Sequence, residues 1–375
     1  MPRLAHVWSS DLGVVASLPQ LRYFLGLGWD IDVVCPDGPR LGEVLEAGVG
    51  WYPWELSRTA IRPLDDARAA RALLALCRRQ RWDLVHTHNV KAGLIGRVVA
   101  GLAGVSAVVH TMHGMAWGDG TPAPARLAHA GLEWLACRFA DRILVQSEED
   151  RRTLRRHHIV SERRLVAIGN GVPLDRFDPA RVDRTRVRRE LGLCDEEILF
   201  VSAGRLVHSK GFVELCQGAG LARRRDARVR VAIAGPRDVD KADCLSDAEM
   251  AAGRAEGVEF LGERSDMPEV LAAADVVVLP SWHEGMPRVL MEGAALGKPL
   301  LASDVRGCRE VAREPGGRLF AVKDANAIAD ALVAAAADVA WRAAAGAGNR
   351  ARALAEFDLA AVNRRVAEVY RELVR

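Results

Sequence analysis

Long apolar runs are missing from this sequence. No stretch approaches the about 18 uninterrupted apolar residues that cross a bilayer, and the longest alanine-rich runs carry Arg or Asp. Any membrane contact is therefore expected to be peripheral. The opening "MPRLAHVWSS" lacks the apolar core of a secretory leader. Paired cysteines are missing too. The seven cysteines (Cys35, Cys77, Cys137, Cys194, Cys216, Cys244, Cys308) are scattered and odd in number, and form no C-x-x-C pair. They read as reduced thiols of a cytosolic protein rather than as a disulfide framework. Charge of one sign is nearly absent. A net charge of +3 over the whole chain gives no footprint for nucleic acid. Lysine is scarce beside arginine while alanine is abundant, a codon bias rather than a chemical signal.

What is present is a sizeable core. Half of the 375 residues are hydrophobic, which fits two domains of middling size. Short apolar runs alternate with helical periodicity: "LAHVWSS", "DIDVVCP", "WDLVHTH", "AVVHTMHG" and "DRILVQS" read as strands, with helices such as "LPQLRYFLGLG" and "KAGLIGRVVAGLAG" between them. Repeated units of this kind predict an α/β fold with parallel sheets covered on both faces. "IGNGVPLDRFDPARVDRT" breaks the period with Gly, Pro and Asp and marks a linker. The alternation then restarts with "ILFVSAG", "VRVAIAG", "VEFLG", "DVVVLPS" and "PLLASD". The expected organisation is a first doubly wound, Rossmann-like domain over 1–172, a linker over 173–188 and a second such domain over 189–355. A last helix over 356–375 is expected to pack back on the first domain. Ligand is expected in a cleft outside the carboxyl ends of the strands.

Two patterns carry chemistry. In "SWHEGMPRVLMEGAALGKPLLASD", Glu284 sits in the loop after a buried strand and Glu292 lies on the following helix, read as two turns along it. Pro287 suits the first helical turn and Gly297 the helix stop. Free N–H groups near Gly285 and Met286 form an anion site of the kind that takes phosphate. Carboxylates accept hydrogen bonds from hydroxyls, so two of them flanking a phosphate site suit a nucleotide sugar, one on the sugar and one on the ribose. The bland alternative is a surface helix with a solvated Glu292 and a capping Glu284. In "SAGRLVHSKGF", Ala203 and Gly204 allow close backbone approach, Arg205 and Lys210 flank the loop, and Gly211 opens a helix. An arginine fork and a lysine point charge there can neutralise a diphosphate without a metal. Two surface cations beside a turn would look the same.

With "GRLVHSKG", "VEFLGERSDMPEVLAAADVVVLPSWHEGMPRVLMEGAALGKPLLASD" and "IGNGVPLDRF", the chain resembles the retaining glycosyltransferases of family 4, which have the GT-B fold. "VHTHNVKAGLIGRVVAGLAG", "VVHTMHG" and "SDVRGCREV" resemble a branch that extends lipid-linked sugars in bacterial surface polysaccharide synthesis. The resemblance implies that Arg205 and Lys210 hold the donor diphosphate, that Glu284 contacts the donor sugar, and that Glu292 holds the ribose. Its T-x-H-G motif maps onto Thr111, His113 and Gly114, making His113 the first-domain residue nearest the reacting sugar. Glu284 and His113 are then the catalytic candidates. Gly13, Gly204, Gly285 and Met286 join the donor-binding set, although "SSDLGVVAS" offers only Gly13 where many relatives have a glycine pair. The implied reaction moves a sugar from a nucleoside-diphosphate sugar, with uracil as the base, to a polyprenyl-diphosphate-linked saccharide or similar glycan. It uses no cofactor and no metal, and takes place on the inner face of the bacterial plasma membrane.

Other features admit weaker readings. His86, His88, His110 and His113 could in principle hold zinc, but no acidic or cysteine ligand stands at a recognisable spacing. The "DVD" at Asp238–Asp240 mimics a metal-binding D-x-D by three letters only. The basic runs "RRTLRRHH", "SERRL" and "RRRDARVR" are read as solvated helix faces. Trp51 and Trp54 beside Arg58 suit either a membrane interface or the core. Besides transfer, two functions fit this architecture: a nucleotide-sugar 2-epimerase and a catalytically silent binding protein.

Overall fold

The computed structural model describes residues 1–57, 61–118, 120–239 and 243–374. It divides into two compact units, Met1–Gly169 with Ala360–Arg375, and Asn170–Leu359.

The first unit is built on seven strands: β1 (Arg3–Val7), β2 (Asp30–Cys35), β3 (Gly50–Pro53), β4 (Leu84–His88), β5 (Ala107–Met112), β6 (Arg142–Val145) and β7 (Leu165–Ala167). Their order is β3-β2-β1-β4-β5-β6-β7, and every pairing is parallel. β4 and β5 are buried at every residue, as a strand covered by helices on both faces must be. The helix Leu359–Leu373 contributes Val362, Val366 and Tyr370 to this unit's core.

The second unit has six strands: β8 (Ile198–Ala203), β9 (Val229–Ala234), β10 (Val258–Gly262), β11 (Val276–Leu279), β12 (Leu300–Ser303) and β13 (Gly317–Phe320). Their order is β10-β9-β8-β11-β12-β13, again wholly parallel. The winding reverses between β8 and β11, so the loops after these two strands diverge and leave a crevice at their carboxyl ends. Both chemistry-bearing motifs of this unit begin in those two loops, the second running on into the helix that carries Glu292.

The division differs from the expected one in two places. The segment 173–188 is no linker: Phe177 and Val187 are buried in the second unit's core together with Val172. The chain changes unit at Gly169/Asn170 and again at Leu359/Ala360, where the backbone of Val172 bonds that of Phe357 and Leu359. Gly and Pro here serve turns within a packed segment rather than a free connection.

Candidate functional site

β8 delivers Gly204 and Arg205 to the crevice. Arg205 Nη1 donates to Asp238 Oδ2 at 2.5 Å, from the loop after β9. Lys210 closes a single 3₁₀ turn, His208–Lys210, and Gly211 starts the helix Phe212–Arg225 with φ +71°. A side chain at Gly211 would place its Cβ 2.0 Å from the Pro280 carbonyl oxygen at the end of β11. Only glycine lets the two loops press together here. The result is a contact across the switch point. Lys210 Nζ lies 2.5 Å from Glu284 Oε1, and Ser281 Oγ donates to the same oxygen at 2.7 Å. The Trp282 N–H donates to the Ser209 carbonyl at 3.0 Å and ties the loops a second time. Gly307, with φ +77°, brings a third loop in, since its Cβ would fall 2.1 Å from the Gly285 oxygen. Gly204 is different. A Cβ there would meet its nearest atoms at 3.6 Å, an ordinary contact, so packing alone does not demand glycine.

Pro287 precedes the helix Arg288–Ala295, whose first-turn N–H groups receive no side-chain cap from it. Met286 offers its carbonyl to Asn170 Nδ2 at 3.2 Å. Asn170 belongs to "IGNGVPLDRF", a stretch that carries the family resemblance without an assigned role. Glu292 is the fifth residue of the helix, one turn along rather than the two expected from spacing. Its side chain is 15% exposed and 3.7 Å from Arg288 Nη2. Burial pushes its carboxyl above the usual carboxylate range, while Arg288 and Arg176 pull it down. Gly297 ends this helix with φ +68°, as a left-handed stop.

The remaining candidates, His113 and Gly13, are in the first unit. His6 on β1, His88 at the end of β4, His113 just past β5 and Gln146 just past β6 form a hydrogen-bonded chain. The links are His6 Nδ1 to His88 Nε2 (2.9 Å), His88 Nδ1 to His113 Nε2 (3.0 Å) and His113 Nδ1 to Gln146 Oε1 (3.3 Å). Trp8 stacks on His88 with centroids 3.8 Å apart. Both ring nitrogens of His113 are thus engaged, and a ring contact to a sugar would have to displace Gln146 or His88. Gly13, which the resemblance adds to the donor-binding set, lies within the helix Asp11–Ala16, and its N–H donates to Ser10 Oγ. Its Cβ would sit 2.5 Å from the Trp8 ring, which explains the glycine by packing. His110 also differs from expectation. It turns away to Thr87, and His6 takes its place beside His86 and His88, the three offering ligand nitrogens within 4.8 Å of one another. Five of the six ring nitrogens are already hydrogen-bonded, His86 to Thr111 Oγ1 and the Tyr370 hydroxyl, His88 to His6 and His113, and His6 through Nδ1, while His6 Nε2 has no hydrogen-bond partner among the described residues.

Burial lowers every histidine of this group, His6 to about 3 and His113 to about 4, with His86, His88 and His110 also well below 6.5. The native state holds them neutral, whereas the unfolded chain takes up their protons below about pH 6.5. Stability from this source is therefore complete above that pH and is lost as pH falls toward 4. The slope approaches about 1.4 kcal/mol per pH unit for each histidine involved. Thermal unfolding midpoints measured from pH 7.5 down to 4.5 are expected to drop steeply below pH 6.5. A flat profile would mean that these rings are solvated.

A galactosyltransferase of Escherichia coli, UDP-Gal:alpha-D-GlcNAc-diphosphoundecaprenol alpha-1,3-galactosyltransferase, is 30% identical over 339 residues, covering 89% of this chain and 85% of its own. The Glycosyltransferase Family 4 model matches residues 20–176 and the Glycosyl transferases group 1 model residues 197–338. The chain belongs to glycosyltransferase family 4.

EpsD of Bacillus subtilis, a putative glycosyltransferase, is 27% identical over 83% of this family 4 chain and 81% of its own. The solved structure of Anabaena HepE with UDP and glucose superposes with a TM-score of 0.80 over 99% of this chain and all of that one, at 17% identity. The fold is GT-B. No described helix of this glycosyltransferase is long and apolar enough to cross a membrane. Of the two readings open for Trp51 and Trp54, interface or core, the structure supports the core. Trp54 is 1% exposed and donates to the Ala69 carbonyl, and Trp51 donates to the Cys35 carbonyl. Arg58 lies outside the described residues, as does Asp240 of the "DVD" stretch. Asp238 is occupied by Arg205. In "RRTLRRHH", Arg151 and Arg155 pair with Glu162, which suits a solvated helix face.

Proposed function

We propose that this family 4 glycosyltransferase moves a sugar, with retention and without a metal, from a UDP-linked donor to a hydroxyl of a polyprenyl-diphosphate-linked saccharide. The observation that carries this reading is the Lys210–Glu284 contact across the switch point. It sets a cation suited to a diphosphate beside a carboxylate suited to a sugar hydroxyl. The donor and acceptor classes are those in the name of the E. coli relative.

On this reading, Arg205 and Lys210 exchange Asp238 and Glu284 for the donor's phosphates. They stabilise the charge that grows on the leaving diphosphate as the glycosidic bond breaks. The first turn of the helix Arg288–Ala295 adds N–H groups of the same polarity. Glu292 accepts from the ribose, and Glu284, released from Lys210, accepts from hydroxyls of the transferred sugar. The acceptor hydroxyl attacks the face from which the diphosphate departs, and a departing phosphate oxygen takes its proton. No protein nucleophile is assigned. His113 is the first unit's candidate for a contact to the transferred sugar, and such a contact through its ring requires one of its two ring bonds to open. On this reading the acceptor's polyprenyl chain sets the reaction at a membrane surface, with the enzyme held peripherally, and a UDP-linked donor from the cytoplasm makes that surface the cytoplasmic face.

The test is product analysis. The enzyme is incubated with UDP-sugars and a polyprenyl-diphosphate-linked saccharide in the presence of EDTA. A new glycosidic bond with the donor's anomeric configuration is expected. An epimerised free nucleotide sugar, an inverted linkage, or activity that returns only with magnesium or manganese would contradict the corresponding part of the proposal.

A further inference from the structure

The helix Ala123–Cys137, "APARLAHAGLEWLAC", is packed inside out. Its buried residues are Glu133, Ala136 and Cys137, whereas Leu127, Leu132, Trp134 and Leu135 are 71%, 52%, 47% and 48% exposed. Leu127, Gly131, Trp134, Leu135 and Arg138 recur at helical spacing and so share one outward stripe. Soluble surfaces scatter large apolar side chains singly; here four stand on one helix of four turns.

The helix is held by small side chains, Ala136 and Cys137 with Ala130, and by one buried ion pair. Glu133 Oε1 pairs with the fully buried Arg97 Nη1 at 2.5 Å, and Cys137 Sγ lies 3.1 Å from the same nitrogen. An amphipathic helix normally buries its leucines and exposes its carboxylate. This one keeps its single carboxylate inside and leaves its leucines in water.

The charge around the stripe narrows the choice of partner. Arg126 and Arg138 are exposed on the helix, Arg138 stacks over the Trp134 ring at 5.1 Å, and Arg164 Nη1 donates to the Cys137 carbonyl at its end. With Glu133 buried, the helix presents no acidic group. Leucines and a tryptophan set among arginines match an anionic bilayer, whose headgroups attract the guanidinium groups while the apolar side chains enter the acyl boundary.

We infer that the helix Ala123–Cys137 is the surface by which the enzyme docks on an anionic lipid bilayer, through Leu127, Leu132, Trp134 and Leu135 with Arg126 and Arg138 at the headgroups. This rests on the lipid-linked acceptor proposed above only for its purpose; the docking can be measured without any acceptor.

The probe is vesicle flotation at low salt, using phosphatidylglycerol–phosphatidylcholine vesicles against phosphatidylcholine alone. The wild type is expected to float with the anionic vesicles and to dissociate as salt rises. The triple variant Leu127→Ser, Trp134→Ser, Leu135→Ser is expected to lose partitioning by at least about tenfold. Because these side chains are exposed, its thermal midpoint and its binding of UDP should stay at the wild-type values. Arg126→Gln with Arg138→Gln should remove most of the preference for anionic vesicles. Wild-type protein that fails to float, or a triple variant that floats as well as wild type, overturns the inference. So does a wild-type dimer in light scattering that the triple variant breaks, since a second copy would then cover the stripe. If docking behaves as expected but no lipid-linked acceptor is extended, the surface stands and the acceptor assignment falls.

Discussion

Lys210→Met and Glu284→Gln are both expected to cut turnover by about 10²- to 10³-fold, the usual cost of removing one preorganised charge or hydrogen-bonding group from a transition state. Yet the two should part on binding. The ammonium and the carboxylate neutralise each other at 2.5 Å, and Ser281 supports the carboxylate. Removing Lys210 leaves Glu284 as an uncompensated anion where the diphosphate is to sit, so free nucleoside diphosphate should bind far more weakly. Removing the charge of Glu284 frees Lys210 for phosphate, so nucleoside diphosphate should bind as well as before or better, while the transferred sugar loses its orienting acceptor. A variant that lowers turnover without losing the diphosphate has lost an interaction that counts mainly in the transition state.

Glu133→Ala is expected to destabilise the fold by about 3 to 5 kcal/mol, the cost of leaving a buried charge without its partner. Arg97 is fully buried. Its Nε donates to the Gly93 carbonyl at 2.8 Å, its Nη1 depends on Glu133, and its Nη2 has no hydrogen-bond partner among the described residues. A loss of that size is a large share of an ordinary domain's stability of about 5 to 15 kcal/mol. The double variant Arg97→Met, Glu133→Leu removes both charges and should recover most of the loss, because well-packed apolar side chains often replace a buried pair without penalty. Denaturant unfolding of the three proteins measures this. Equal stability of Glu133→Ala and wild type would show that Arg97 reaches water.

The βα alternation was legible because the central strands are continuous apolar runs, such as "VVVL" of β11. β3, β7 and β13 escaped notice for the converse reason. They are edge strands of three or four residues, "GWYP", "LVA" and "GRLF", and carry too little apolar pattern to stand out. Arg205, Lys210, Glu284 and Glu292 could be singled out because each lies in a compact motif after a strand. The pairing of Lys210 with Glu284 spans 74 residues and is set by the strand order, which no local spacing encodes. His6 was passed over because it is a single polar residue in a short apolar strand, and its partner His88 is 82 residues away. Trp54 illustrates a limit of composition: a tryptophan between proline and glutamate suits an interface as well as a core, and only the Ala69 carbonyl beneath it decides for the core.

The central claim is that the crevice between the loops after β8 and β11 holds a nucleoside diphosphate through Lys210, with Glu284 reserved for the sugar. Calorimetric titration of UDP into wild type, Lys210→Met and Glu284→Gln tests it most directly. Lys210→Met is expected to lose most of the affinity, and Glu284→Gln to keep or improve it. Equal, severe loss in both variants would make Glu284 part of the diphosphate site, and unchanged binding in Lys210→Met would put the diphosphate elsewhere.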